Sequence, residues 1–202
     1  MPINIKYLKH GDIVKVPLSR TRQFAYGKII DPKKIKEPLE LPLFLRVYRS
    51  IHEDAITHLH EVSRELLLAL FYLVGQSAAV SKMGWKIMTT EKVTVEEEVI
   101  PDTKMAWPPL SLNAEKWGYS KRFSTNIIFA DYEKVKHLDD SSGKNIEIVP
   151  FLIEMEVLKI NGKDIKKELG LQDWLEEVNY KIFSALPVYS SLPKELQGRV
   201  AE

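Results

Sequence analysis

Three histidines and three acidic residues within ten positions form the densest group of side chains that could do chemistry: His52, His58, His60, Glu53, Asp54 and Glu61. Imidazole and carboxylate groups together could bind zinc or another first-row divalent cation. On a helix, however, residues four positions apart share a face, whereas His58 and His60 are two positions apart and diverge. The spacing favours structural or surface roles, so we predict no metal or other cofactor. The alternative is a metal-dependent enzyme that uses this histidine group and acts on a small-molecule substrate.

A second group combines carboxylates with an aromatic residue. Glu96, Glu97 and Glu98 form a run, Asp102 follows it, and Trp107 lies a little further along the chain. These carboxylates could act in general acid–base chemistry, or they could oppose a basic partner and steer its association. A charge run more often marks a solvated loop, and a partner-binding patch is the functional alternative.

Basic and aromatic residues surround a predicted hairpin near the N-terminus: Arg20, Arg22, Lys28, Lys33, Lys34, Phe24 and Tyr26. Such a mixture could bind the backbone and bases of a nucleic acid. Residues 1–40 hold nine lysines and arginines against four acidic residues, yet the formal net charge of the whole chain is only +1. This balance favours solubilising charge over a nucleic-acid surface.

The remaining chemistry-bearing residues argue against the common enzyme classes. The chain has no cysteine, which excludes disulfides, thiolate-bound zinc and a cysteine nucleophile. It also lacks the Gly-x-Ser-x-Gly, His-Glu-x-x-His, Walker and dinucleotide-binding motifs. Four tryptophans, at positions 85, 107, 117 and 174, could line a ligand pocket, but burial in a core is more usual. We therefore predict no catalytic residues and no enzymatic activity.

The elements that position these residues are mostly strands in the first part of the chain. Alternation of apolar and polar residues over 13–18 and 24–30 predicts a hairpin, in which Gly27 indicates a bulge or tight bend. Further strands are predicted at 41–47, 69–74, 85–90 and 126–130. A short helix is predicted near 54–65, where a polar start could cap it.

The second part of the chain is predicted to change from strands to a helix. Residues 146–149 and 151–160 resemble strands, and Asn161-Gly162 is a strong turn signal. Leu171, Trp174, Leu175, Val178 and Ile182 form the apolar stripe of an amphipathic helix. The prolines in 91–120 exclude a helix there and predict a long loop or an insertion.

Together these elements predict a single α+β domain over 1–186 and a loosely ordered tail over 187–202. Its sheet is a strongly bent antiparallel one or a small, partly open barrel that begins with the hairpin, and a C-terminal amphipathic helix is added. The longest apolar run has nine residues, far fewer than the roughly 20 that a membrane helix needs. Because the N-terminus also lacks an apolar run of signal-peptide length, we expect a cytoplasmic protein without a membrane partner.

The opening strands resemble a known family. The Gly-Asp turn and apolar-Pro-Leu strand at 11–18 precede a Tyr-Gly-Lys-Ile strand at 26–29. An apolar strand at 67–74 and the sequence Gly-Trp-Lys-Ile at 84–87 follow. Over about residues 6–90 this order of motifs resembles the immunity protein 26 family of bacterial polymorphic toxin systems.

The resemblance implies a cytoplasmic, non-enzymatic α+β protein that protects its producer by binding and neutralising a cognate protein toxin. The resemblance assigns no catalytic residues to this sequence, because the family has none. If the toxin is a nuclease, its basic cleft would take an acidic patch with an aromatic anchor. The predicted partner-binding residues are therefore Glu96, Glu97, Glu98, Asp102 and Trp107, and nucleic acid is not expected to be a partner.

A second resemblance leads to a different class of function. The same opening is similar to the small SH3-like barrels of PemK-type endoribonuclease toxins and other RNA-binding modules. Such a module would place Arg20, Arg22 and Lys28 on phosphate groups. The near-zero net charge and the lack of an evident acid–base pair make this the alternative rather than the first interpretation.

Overall fold

The computed structural model of the chain describes residues 7–56, 58–68, 71–75, 79–80, 82–107, 115–140 and 143–202, and at 71, 72 and 107 it describes the backbone without the side chain. The described residues form an α+β fold with one six-stranded and one three-stranded sheet, followed by helices. The larger sheet is open and almost entirely antiparallel, and a C-terminal helix follows. The predicted fold class is therefore confirmed.

The strands are β1 (Asp12–Leu18), β2 (Gln23–Ile30), β3 (Phe44–His52), β4 (Phe71–Val74), β5 (Lys86–Thr90), β6 (Thr103–Trp107), β7 (Lys116–Ser120), β8 (Ile127–Phe129) and β9 (Lys144–Asn145). The helices are α1 (Tyr132–Val135), α2 (Val149–Ile160), α3 (Ile165–Leu169) and α4 (Trp174–Ser184). The large sheet has the order β5-β1-β2-β3-β4-β9, with β9 parallel to β4, and the small sheet has the order β6-β7-β8.

The predicted hairpin is formed by β1 and β2, which pair antiparallel from Ile13 opposite Lys28 to Leu18 opposite Gln23. The pairing of β2 with β3 shifts register between Ala25 and Gly27, which confirms the predicted irregularity. A Cβ atom on Gly27 would lie 2.6 Å from the carbonyl oxygen of Arg46. Glycine is therefore required here because the two backbones approach too closely for any side chain.

Both faces of the large sheet are buried, each by a different part of the chain. On one face, residues such as Val14 and Leu45 form the main core with Leu152 of α2. On the other face, Phe44 packs with Val93 and Ile100, and a neighbouring cluster contains Tyr26 and Tyr48. The segment after β5 therefore covers the sheet as the helices do, and it carries the acidic residues with it.

Two strand predictions in the second part of the chain are wrong. Residues 151–160 belong to α2, and residues 146–149 are the turn before it and its first residue. The helix is buried at most positions, including Glu154, so it shows no polar stripe. Glu154 Oε1 accepts hydrogen bonds from the backbone amides of Arg20 (2.9 Å) and Thr21 (3.0 Å) in the β1–β2 turn. A buried glutamate in an apolar helix produced the alternation that indicated a strand.

The predicted helix near 54–65 is also wrong. The described residues there contain only a 3₁₀ turn, Leu59–Glu61. The following segment instead runs along β3, where the Arg49 amide donates to Glu65 O at 2.7 Å and the Leu67 amide donates to Val47 O at 2.9 Å. Pairing with an open sheet edge thus outweighs the local helix signal. Predicted strand 41–47 is shifted, since β3 begins at Phe44 and ends at His52.

Several other predictions agree with the structure. The strands at 85–90 and 126–130 correspond to β5 and β8, and β4 occupies the described end of 69–74. The amphipathic helix predicted from Leu171 to Ile182 corresponds to α4, whose N-cap Asp173 accepts from the Glu176 amide at 2.9 Å. No helix among the described residues is long and apolar enough to span a membrane.

Regular structure lies within the region 91–120 and in the C-terminal residues 187–202. Strands β6 and β7 occupy 103–107 and 116–120, while residues 108–114 lie outside the described residues. The tail contains two 3₁₀ turns, and its backbone binds the rest of the fold: the Asp102 amide donates to Gly198 O at 2.9 Å, and the Ala201 amide donates to Lys134 O at 3.1 Å. The tail therefore packs against the start of the small sheet.

Candidate partner-binding surface

The acidic run lies in residues 94–99, here called the acidic turn, and its middle residue points into the protein. Glu97 Oε2 lies 2.7 Å from Lys28 Nζ and accepts from the Thr94 amide at 3.0 Å. Glu97 Oε1 accepts from Tyr48 Oη at 3.3 Å. The side chains of Lys28 and Glu97 are only 4% and 13% exposed, and Lys28 Nζ also donates to Lys92 O at 3.1 Å. Glu97 therefore anchors the turn to the sheet.

The pKa values around this anchor follow from burial and charge. Burial alone would raise the pKa of Glu97, but the hydrogen bonds from Lys28 and the Thr94 amide, with the charge of Lys28, hold it below its usual value. Burial raises the pKa of Tyr48 to about 12, so its hydroxyl stays protonated and can donate to the carboxylate. The site is thus built to keep a charged Glu97 in place.

The other two glutamates of the acidic turn differ in exposure. Glu96 is exposed, whereas Glu98 is half-buried and its Oε2 accepts from the Lys36 amide at 2.9 Å. Two valines on either side of the acidic run are exposed, Val95 at 68% and Val99 at 44%. The turn therefore presents apolar side chains next to negative charge. Sequence reasoning missed these valines, although the pattern Val-Glu-Glu-Glu-Val places them beside the acidic run.

Asp102 is separated from this exposed surface. Its side chain is 7% exposed, and Oδ1 accepts from the Arg122 amide at 3.2 Å and lies 3.6 Å from Arg199 Nη1 of the tail. Asp102 therefore binds the tail to the body of the fold. Trp107 ends β6, where it pairs with Lys116, and its side chain lies outside the described residues.

The histidine group does not form a metal centre among the described residues, where no three potential ligands come together. His52 shares a hydrogen bond with Ser50 Oγ at 2.8 Å and meets the Tyr26 ring edge-on. His58 and His60 stack on each other with ring centroids 5.6 Å apart. These contacts agree with structural and surface roles.

The basic hairpin residues are mostly engaged within the chain. Arg20 forms an ion pair with Glu176, donates to Leu169 O at 3.0 Å, and lies over the Phe151 ring. Lys28 is buried against Glu97, and Lys33 Nζ is 2.6 Å from Glu40. Arg20 and Lys28, two of the three residues that the RNA-binding alternative would place on phosphate, are therefore occupied.

The tryptophans divide between core and surface. Trp85 is buried in the main core, whereas Trp174 of α4 is 72% exposed. Trp117 packs against Tyr132 with centroids 4.8 Å apart, beside the exposed strand β8.

One buried lysine has an unusual environment. Burial lowers the pKa of Lys104 in β6 to about 8, against the opposing charges of Asp139 and Asp140. Its Nζ donates to Lys136 O at 2.8 Å, and its backbone amide donates to Asp139 O at 2.8 Å. Asp139 also lies 3.4 Å from Lys144 of β9, so this group joins the small sheet to the edge of the large one.

The described residues thus form an open α+β sheet that is covered on both faces and carries an exposed turn of apolar and acidic side chains. The family model for immunity protein 26 matches residues 9–107. This match confirms the resemblance to the immunity protein 26 family that the opening strands show. No curated protein and no solved structure matches.

Proposed function

We propose that this chain is a cytoplasmic bacterial immunity protein that binds and neutralises a cognate toxin of a polymorphic toxin system without catalysis. The observation that supports the proposal is the family match over 9–107. That range contains the sheet from β1 to β5 and the acidic turn, so the proposed binding surface belongs to the part of the chain that the family shares.

The acidic turn is the proposed contact with the toxin. Val95 and Val99 supply apolar anchors, and Glu96 and Glu98 supply negative charge around them. Tight interfaces combine a few desolvated anchors with complementary charge at the rim, which accelerates association. A basic toxin surface, such as the cleft of a nuclease, fits this combination.

The roles of the five predicted partner-binding residues differ in this proposal. Glu96 and Glu98 contact the toxin, whereas Glu97 and Asp102 act indirectly by holding the turn and the tail. Trp107 stays a proposed contact at the end of β6. The burial of Glu97 and Asp102 and their ion pairs with Lys28 and Arg199 support this division, because a buried carboxylate that is paired with a cation of its own protein has little charge to offer a partner.

Co-expression tests the proposed function. A toxin domain encoded beside the gene for this chain should arrest growth when expressed alone in the bacterial cytoplasm. Expression of this chain in the same cells should restore growth, and an unrelated toxin should remain lethal. Growth arrest by every neighbouring toxin domain despite expression of the folded chain would contradict the proposal.

Charge reversal tests the proposed surface. The double variant Glu96→Lys/Glu98→Lys should raise the Kd for the toxin at least tenfold, about 1.4 kcal/mol, and reduce its dependence on salt. Isothermal titration at two salt concentrations measures both effects. The matched control is Glu53→Lys/Glu115→Lys, which changes the net charge equally at exposed positions outside the turn. Equal losses in the two double variants would remove the acidic turn from the interface.

A further inference from the structure

Four basic side chains converge on a cavity of about 350 Å³ that none of the predicted sites includes. It lies between β3, the segment beside it and the tail. Its walls include Arg46, Arg49, Arg64, Glu65, Ser190 and Lys194, and we call it the basic pocket. The acidic turn does not contribute to its walls, so the two surfaces are separate.

The environment of the Arg46 side chain is the main evidence for a ligand in the basic pocket. Its Nε atom is buried and has no hydrogen-bond partner, and among the described residues no carboxylate lies within ion-pair distance of its guanidinium group. A buried donor on a charged group costs free energy unless something binds it, and most such donors in native proteins are satisfied. Because Arg46 lines the basic pocket, an anion bound there would lie beside a guanidinium group that no carboxylate of the described residues pairs with.

The acidic residues near the basic pocket do not neutralise it. Glu65 lies 3.9 Å from Arg49, and Glu91 lies 2.8 Å from Arg64, whose guanidinium also sits over the Tyr48 ring. These two carboxylates stand against four cations, so positive charge remains in excess. Burial raises the pKa of the neighbouring Tyr189 to about 12, against the charges of Arg46 and Arg199, so its hydroxyl adds no negative charge.

The backbone fixes the walls of the basic pocket. The Arg49 amide donates to Glu65 O at 2.7 Å, which holds the segment carrying Arg64 against β3. The tail that supplies the opposite wall is held next to its lining residues, where the Tyr189 amide donates to Glu156 Oε1 of α2 at 2.6 Å and Arg199 Nη1 donates to Ile100 O at 3.0 Å. The cations are therefore mounted on packed elements rather than on a free loop, which lowers the entropic cost of binding.

We propose that the basic pocket binds a small phosphate-bearing anion, either free phosphate or the phosphate group of a nucleotide. Guanidinium groups bind phosphate oxygens through paired, charge-assisted hydrogen bonds. A phosphate group carries a charge of about −1.5 to −2 at neutral pH, which offsets the excess of positive charge better than a single carboxylate would. The Ser190 hydroxyl at the wall can donate a further hydrogen bond.

The basic pocket joins residues inside the family match to residues beyond it. Arg46, Arg49 and Arg64 lie within the family match, whereas Ser190 and Lys194 lie in the tail beyond it. The site therefore exists only where this chain adds its own C-terminal part to the shared sheet.

Titration of the full chain at low ionic strength tests the proposal. Inorganic phosphate and a nucleoside monophosphate are titrated separately into a chloride buffer, and binding is followed by calorimetry and by the phosphorus NMR signal. We expect at least one of them to bind, and Arg46→Gln and Lys194→Gln each to weaken binding at least threefold, with the larger loss in Arg46→Gln. The control Lys163→Gln removes the same charge at an exposed position outside the pocket and should bind as the unmodified chain does.

Each outcome decides the question. If Arg46→Gln fails to fold, Lys194→Gln carries the test, because Lys194 is exposed and its truncation leaves the core intact. Selective binding of the nucleotide identifies the source of the phosphate, and binding of both identifies the phosphate group itself. If neither phosphate nor the nucleotide binds, the proposal is overturned. It is also overturned if Lys163→Gln loses as much affinity as the variants in the basic pocket. If an RNA oligonucleotide binds and neither small probe does, the proposed phosphate site is wrong and the basic side chains form a surface for polyanions.

Discussion

Replacing Lys28 with methionine should lower the free energy of unfolding by about 3 kcal/mol, because it leaves the Glu97 carboxylate buried without its cation. The two side chains are 4% and 13% exposed and 2.7 Å apart. Urea unfolding at neutral pH measures the loss. The same variant should weaken toxin binding, since Glu97 holds the acidic turn against the sheet.

A double variant separates loss of the ion pair from loss of packing. Removing both charges, as in Lys28→Met/Glu97→Leu, leaves no uncompensated charge, so its stability should lie closer to that of the unmodified chain than Lys28→Met alone. The stability loss of the double variant is compared with the summed losses of Lys28→Met and Glu97→Leu. If the two values are equal, the ion pair contributes nothing beyond its separate side chains.

The pH dependence gives a second signature of this ion pair. Because the pKa of Glu97 is held below its unfolded value, its contribution is complete above the unfolded pKa and is lost as the pH falls through the folded pKa. In Lys28→Met, burial acts without the cation and raises the pKa of Glu97. Its contribution then changes sign, so acidification should reduce the difference in stability between Lys28→Met and the unmodified chain. A difference that stays constant between pH 7 and pH 4 would contradict the role of the pair.

The second large effect is expected at Gly27, where alanine should cost about 3 kcal/mol. A Cβ atom there would lie 2.6 Å from Arg46 O and 2.9 Å from Leu45 Cδ1, so β2 and β3 would have to separate in the middle of the sheet. Overpacking in a rigid core costs about 1–3 kcal/mol, and backbone atoms relax less than side chains do. Thermal and urea unfolding measure the change.

Gly162→Ala is the matched control for Gly27→Ala. Gly162 has a φ of +62° but no atom within 4 Å of the position that its Cβ would occupy. Its alanine variant should therefore lose only about 1 kcal/mol, the cost of left-handed backbone for a residue with a side chain. A loss at Gly27 no larger than at Gly162 would show that the strands can separate freely.

The strands of the first part of the chain could be predicted because their local patterns and their tertiary roles agree. The β1–β2 hairpin alternates apolar and polar residues, and Gly27 marks the irregularity where β3 approaches. The α2 helix could not be predicted in the same way. Glu154 is buried because it binds the distant turn at Arg20 and Thr21, and no local pattern reveals such a partner.

The sequence indicates which region contains the candidate site, but it does not indicate the role of each residue in that region. The acidic run is evident in the sequence, but the direction of each carboxylate depends on which cations the fold brings near it. Lys28 is 69 positions away from Glu97 along the chain, and Arg199 is far from Asp102 as well. The basic pocket was missed for the same reason, since its arginines and Lys194 meet only when the tail packs against β3.

The most direct test of the proposed immunity function is the binding of purified components. The toxin domain encoded beside this gene and the full chain should form a stable complex of fixed stoichiometry in calorimetry and gel filtration. Formation of that complex should abolish the toxin's activity in proportion to the amount bound, and an unrelated toxin should not bind. Absence of a complex between the two folded proteins, or full toxin activity within the complex, would contradict the account.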